Sequence, residues 1–279
     1  MVKPGKRATT EEGEPVEDDE LESGRMPFLS HLKELRDRVR NAAIAFMIAA
    51  IGCFYFSDEI FAWLREPVFT VWRAKFPGTE PHFVFTQLTE PFWVNMSIAL
   101  WAGIFAASPF IFYQLWKFIA PGLYKRERRM TVAFAIFSAI FFTAGAVFCR
   151  YLVVERLADF MLGFTTEQQK PMIAMMGYLD LIRDLMLAFG AVFELPLLIY
   201  FLALTGLVTH RGLWKFNRWF VVLAFVIGAI LTPTPDVPTQ LMMALPMIAL
   251  YNVSILLAWN ITRRRERAEA AQRAKEDES

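Results

Sequence analysis

The chain has 279 residues, is 56% hydrophobic with 27 Phe, 8 Trp and 13 Met, and carries a formal net charge of +1. Soluble domains of this length are about 45–50% apolar. Here the excess lies in long uninterrupted blocks, which excludes an ordinary soluble domain and predicts an all-α integral membrane protein.

Residues 1–25 read as a disordered tail. The run "EEGEPVEDDELE", Glu11 to Glu22, holds eight acidic residues and cannot form a core. No apolar segment of the signal-peptide kind stands within it. Next, Phe28, Leu29, Leu32, Leu35 and Val39 make the apolar stripe of a helix that enters the first predicted span, 39–57. On that helix Glu34 and Arg38 are spaced i,i+4, and a surface pair at that spacing is worth only about 0.3–0.5 kcal/mol. In the following connection Ile60, Phe61, Trp63, Leu64, Val68, Phe69, Val71 and Trp72 fall largely on one helical face, with a kink expected at Pro67. This predicts a helix lying on the outer membrane surface or, equally, a docking surface for a partner.

The second span is predicted at 91–113 and the third at 131–152. Between them "GLYKRERRM" sets Glu127 among Lys125, Arg126, Arg128 and Arg129. Either those neighbours simply neutralise Glu127, or they keep it ionised and ready for a cation from outside. A carboxylate and a guanidinium form a bidentate, charge-assisted pair, so Glu34 and Glu127 together could read two cationic groups. In the fourth span, 178–204, Asp180, Arg183 and Asp184 have the spacing of a local ion pair. Deeper in it, "FGAVFELPLLIY" buries Glu194, and Pro196 frees a backbone carbonyl. An ionisable group at that depth is costly and is a functional hypothesis by default; the plainer reading is a protonated structural glutamate. The fifth and sixth spans, 217–231 and 241–259, are short for a hydrocarbon core of about 30 Å. The proline turn "TPTPDVPTQ" joins them. Residues 26–262 form one six-helix membrane domain in this reading, and 263–279 a charged C-terminal tail.

Lys and Arg gather before the first span, in the 2–3 and 4–5 connections and in the C-terminal tail, and are sparse in the alternate connections. The positive-inside rule then puts both termini, and both glutamates, in the cytoplasm. No H-E-x-x-H, G-x-S-x-G or Walker A motif occurs, and His31, His82 and His210 all fall in connections. Cys53 and Cys149 lie in apolar blocks without metal or disulfide spacing. The residues therefore predict neither an enzyme nor a metal or cofactor site, and no nucleic-acid partner. A secondary transporter for a small solute is the alternative: Glu194 with Pro196 suits a broken-helix site, but no matching segment stands in the other half.

The stretches "FLSHLKELRDRV", "TEPFW", "SPFIFYQLWKFIAPGLYKRERR", "FGAVFELP" and "TPTPDVPTQ" resemble the C subunit of the twin-arginine protein translocase, from about Phe28 to about Trp259. The resemblance implies six helices with a concave, cupped face and short last two helices, in a bacterial-type cytoplasmic membrane. It implies a receptor for twin-arginine signal peptides of folded cargo. It also implies assembly with single-span partner subunits (TatA/TatB type), self-association, contact with lipid and transport drawing on the proton gradient. By resemblance Glu34 and Glu127 fall on the two acidic recognition positions, with Arg36, Phe118, Pro121 and Tyr124 around them. Glu194 matches the intramembrane glutamate linked to partner contact, while Asp236, Gln240 and Pro67 match outer-loop positions. Protonation of Glu194 is suggested as a coupling step. The acidic N-terminal extension and the charged pair Arg183 and Asp184 depart from the common pattern.

Overall fold

The computed structural model describes residues 17–119, 128–165, 171–231 and 236–277. Helix α1 runs Glu17–Tyr55 and α2 Ser57–Lys75; after strand β1 (Phe83–Val84), α3 spans Glu90–Ile119 and α4 Arg128–Phe148. A π-helical turn, Cys149–Val153, leads into α5 (Val154–Leu162). Strand β2 (Ile173–Ala174) precedes α6 (Met175–Phe193), α7 (Leu195–Thr205), α8 (His210–Leu231) and α9 (Val237–Asp277).

Six stretches are long and apolar enough to cross a membrane: 30–55, 90–119, 130–162, 175–205, 210–231 and 237–263. These are the six expected spans, extended because the helical backbone continues through polar interfacial residues. The fifth is the shortest at 22 residues. The sixth is not short as a helix: its apolar part has 27 residues and the backbone runs on to Asp277, through good helix formers such as Arg, Glu and Ala. At the other end α1 already begins at Glu17, inside the stretch expected to be a tail, while residues 1–16 lie outside the described residues.

The spans pack as an open row, in the order first, second, third, fourth, sixth, fifth. Small residues let backbones approach. A Cβ on Gly103 of α3 would lie 2.8 Å from Ala50 Cα of α1, and one on Gly145 of α4 only 2.5 Å from the Phe189 carbonyl of α6. The first span packs with one face only, and on its other face Ile48 and Ile51 stay 68% and 70% exposed. In a bilayer such a face meets lipid or another apolar helix.

The apolar face of α2 packs on the protein itself. Phe61, Leu64, Val68, Val71 and Trp72 recur at helical spacing, and all are buried in one core with Leu157 of α5 and Leu179, Ile182 and Leu185 of α6. The sequence shows the apolar face; its use inside the fold comes from the neighbours. Strands β1 and β2 pair in parallel, Phe83 with Ile173 and Val84 with Ala174, and tie the connections after α2 and α5 together. The Phe83 ring packs between Phe61, Phe69 and Tyr178, with centroids 5.1–5.5 Å away.

Candidate functional site

Where α1 meets the last turns of α3, a polar cluster forms. Glu34 Oε1 accepts from Arg38 Nη2 at 2.9 Å, so the i,i+4 pair is made. The two side chains are 35% and 20% exposed. Arg38 also reaches across to α3, where Nη1 lies 3.4 Å from Oε1 of the buried Gln114. Its Nε is buried with no acceptor among the described residues. One turn away the His31 imidazole stacks on the Phe118 ring, centroids 4.3 Å apart at 14°. Arg36 points outward and pairs with Asp37 at 3.3 Å. Glu127, Pro121 and Tyr124 lie outside the described residues. The cluster thus joins Glu34 to Phe118 through α3, holds Arg36 apart, and brings in Arg38, Gln114 and His31. Gln114, a lone amide in "FIFYQLWKF", was the signal for the α3 side that spacing rules passed over.

A second polar group lies inside the membrane layer. Pro196 has no N–H to give the carbonyl of Val192, and the fourth span breaks at Glu194 between α6 and α7. There the backbone is held by Glu194 N–H to Ala191 O at 3.2 Å and Leu198 N–H to Glu194 O at 2.9 Å. The Glu194 carboxyl faces Ser138 and the Phe142 backbone of α4. Trp116 Nε1 donates to Ser138 Oγ at 2.9 Å, which leaves the Ser138 hydroxyl proton for the carboxyl. Glu194 Oε1 is buried without a hydrogen-bond partner among the described residues. So Trp116 ties Glu194 to the same two turns of α3 that carry Gln114 and Phe118.

The remaining predicted residues serve the fold. Asp236 caps α9, its Oδ1 accepting from Thr239 N–H at 3.0 Å. Gln240 Nε2 donates to Phe225 O at 2.9 Å and fastens α9 to α8. Pro67 is buried inside an unbroken α2, so its side chain offers no free surface to a partner. Arg183 pairs with Asp180, as their i,i+3 spacing predicts, and also with the adjacent Asp184, both at 2.8 Å. The sequence reading missed Glu90: its carboxylate accepts from Thr86 N–H at 2.9 Å and Met176 N–H at 3.0 Å, clasping both connections to the start of α3. Arg150 is buried, 6% exposed, because the π-helical turn carries it inward against α2.

The family described as Sec-independent protein translocase protein (TatC) matches residues 30–246. A Sec-independent protein translocase protein TatC from Koribacter versatilis (strain Ellin345) is 39% identical over 248 residues, 88% of this chain and 90% of the relative. One from Aquifex aeolicus (strain VF5) is 37% identical over 88% of this chain and all of its own. A crystal structure of the twin-arginine translocase receptor TatC superposes with a TM-score of 0.73 at 37% identity, covering 83% of this chain and 99% of that one.

Proposed function

The chain belongs to the TatC family of Sec-independent protein translocase proteins, and from that premise we propose that its α1–α3 cluster is the receptor for twin-arginine signal peptides. The protein is a multi-pass membrane component of the translocase, not an enzyme, and the solute-transporter alternative falls away. In this proposal both termini and the cluster face the cytoplasm of a bacterial-type inner membrane, as the distribution of Lys and Arg supports.

The observation that carries the reading is the half-exposed Glu34. Its carboxylate is bound by only one nitrogen of Arg38, and Arg38 has a second acceptor in Gln114. An incoming guanidinium can take the Glu34 carboxylate bidentately while Arg38 moves onto Gln114, so neither internal charge is stranded. Glu127 supplies the second carboxylate. Phe118 stacked on His31 offers an apolar wall to the residues that follow the arginines. Single-span partners dock along the fourth to sixth spans near Glu194, where a buried carboxyl oxygen has no hydrogen-bond partner among the described residues, and transport draws on the proton gradient.

The test is binding of a labelled twin-arginine peptide to the full chain in nanodiscs. Glu34→Ala and Glu127→Ala should each weaken it about 10-fold or more, in line with a lost charged hydrogen bond. A Lys-Lys peptide should bind poorly to the parent. Equal binding by all three proteins would reduce both glutamates to surface ion pairs.

A further inference from the structure

Arg150 is the only charged side chain buried among the described residues, and its polar partner is a carbonyl instead of a carboxylate. Nε donates to Trp63 O at 3.0 Å, and Nη2 donates to the same oxygen. The guanidinium carbon sits 4.9 Å from the Trp63 ring centroid and 5.1 Å from that of Tyr151. Trp63 Nε1 closes the pair of rings by donating to the Tyr151 hydroxyl at 3.4 Å. A buried charge in such a place is expensive unless it answers a need.

The need is in α2. Trp63 stands four residues before Pro67, and proline has no N–H for the carbonyl at i−4. At a packed contact between helices, a carbonyl left without a donor is costly. Yet α2 runs unbroken through Pro67 from Ser57 to Lys75. We infer that Pro67 and Arg150 are a matched pair: Pro67 opens the Trp63 carbonyl, Arg150 fills it, and the bond clips α2 onto the span built from α4 and α5. The π-helical turn, which adds a residue to one turn of that span, is what presents Arg150 to it. Tyr178 of α6 reinforces the clip by donating to the next carbonyl, Leu64 O, at 2.7 Å. Both members are positioning residues: they hold the outer helix in place and touch no cargo. Pro67 therefore acts through a backbone carbonyl, which accounts for a buried proline at a position where partner contact was expected.

The pair predicts a specific dependence of one residue on the other. The full chain in nanodiscs is compared as parent, Arg150→Met, Pro67→Ala and the double variant, by amide hydrogen exchange across α2. Arg150→Met alone should speed exchange in α2 about 10-fold or more. In the Pro67→Ala background, where a new N–H reaches Trp63 O, the same change should cost less than about 3-fold. Arg150→Lys, which keeps the charge but loses the fork, should follow the same pattern more mildly. Folding of the double variant where Arg150→Met alone fails to fold counts as the same rescue. An equal penalty in both backgrounds, no effect of Arg150→Met, or failure of both Arg150→Met proteins to fold would overturn the pairing. Binding of a twin-arginine peptide should be unchanged in all variants that fold, which separates this inference from the receptor reading.

Discussion

The spans are finished differently at their two ends. At one end α2, α5 and the β1–β2 pair close over the spans, and the polar groups there are satisfied internally: Glu90 by two backbone N–H groups, Arg150 by Trp63 O, Tyr178 by Leu64 O. At the other end α1 packs chiefly on α3, and its charges keep a free side. The side chain of Arg36 is 68% exposed, and the Glu34–Arg38 pair is only half covered. Saturated polar groups make a rigid cap, whereas half-engaged ones keep the capacity to exchange partners. Internally satisfied polar groups and half-engaged ones thus fall at opposite ends of the same helices.

The contrast should appear first in the apolar cores. Leu64 is fully buried in the capped end, and Leu64→Ala should cost about 2–5 kcal/mol. Leu32→Ala, at a side chain 44% exposed on α1, should stay within about 0.5 kcal/mol. Chemical unfolding in detergent measures both, and comparable losses would break the contrast. Carboxylates sharpen it next. Glu90→Ala removes the acceptor of two backbone N–H groups and should lower the unfolding midpoint more than Glu34→Ala does. Glu34→Ala should cost less than about 1 kcal/mol of stability, while carrying the loss of peptide binding described above. A Glu34 variant that unfolds as readily as the Glu90 variant would make Glu34 a structural residue. The smallest effect belongs to the exposed pair of Glu66 and Arg73, which sits on the capped end without serving it. Glu66→Ala should change the unfolding free energy by less than about 0.5 kcal/mol.

Much of this was legible in the sequence because hydropathy is a one-dimensional signal. Six apolar blocks give six spans, and Pro196 beside Glu194 announces the break in the fourth. The i,i+4 spacing of Glu34 and Arg38 gives their pair. What stayed hidden depends on neighbours distant in the chain. The apolar face of α2 is the same whether it meets lipid or protein, and only the approach of α5 and α6 decides. A two-residue parallel ladder between Phe83 and Ile173 leaves no periodicity to detect. Arg150 stands near the end of the third predicted span, and its buried task appears only with the π-helical turn and the missing N–H of Pro67. Gln114 and Trp116 carry no spacing rule, yet both polar groups of the candidate site are anchored on them.

The break at Glu194 also has a mechanical side. Helix α6 is bedded along α4, while α7 carries most of the packing against α9, and the α8–α9 pair hangs on the remaining helices chiefly by that contact. A force applied to α8 and α9 therefore travels through α7 and arrives at the one turn of the fourth span where the backbone ladder is interrupted. Bending compliance concentrates there, as in a beam with a single notch. The load path from the last two spans to the rest of the molecule ends on the carboxyl group that has an oxygen to spare.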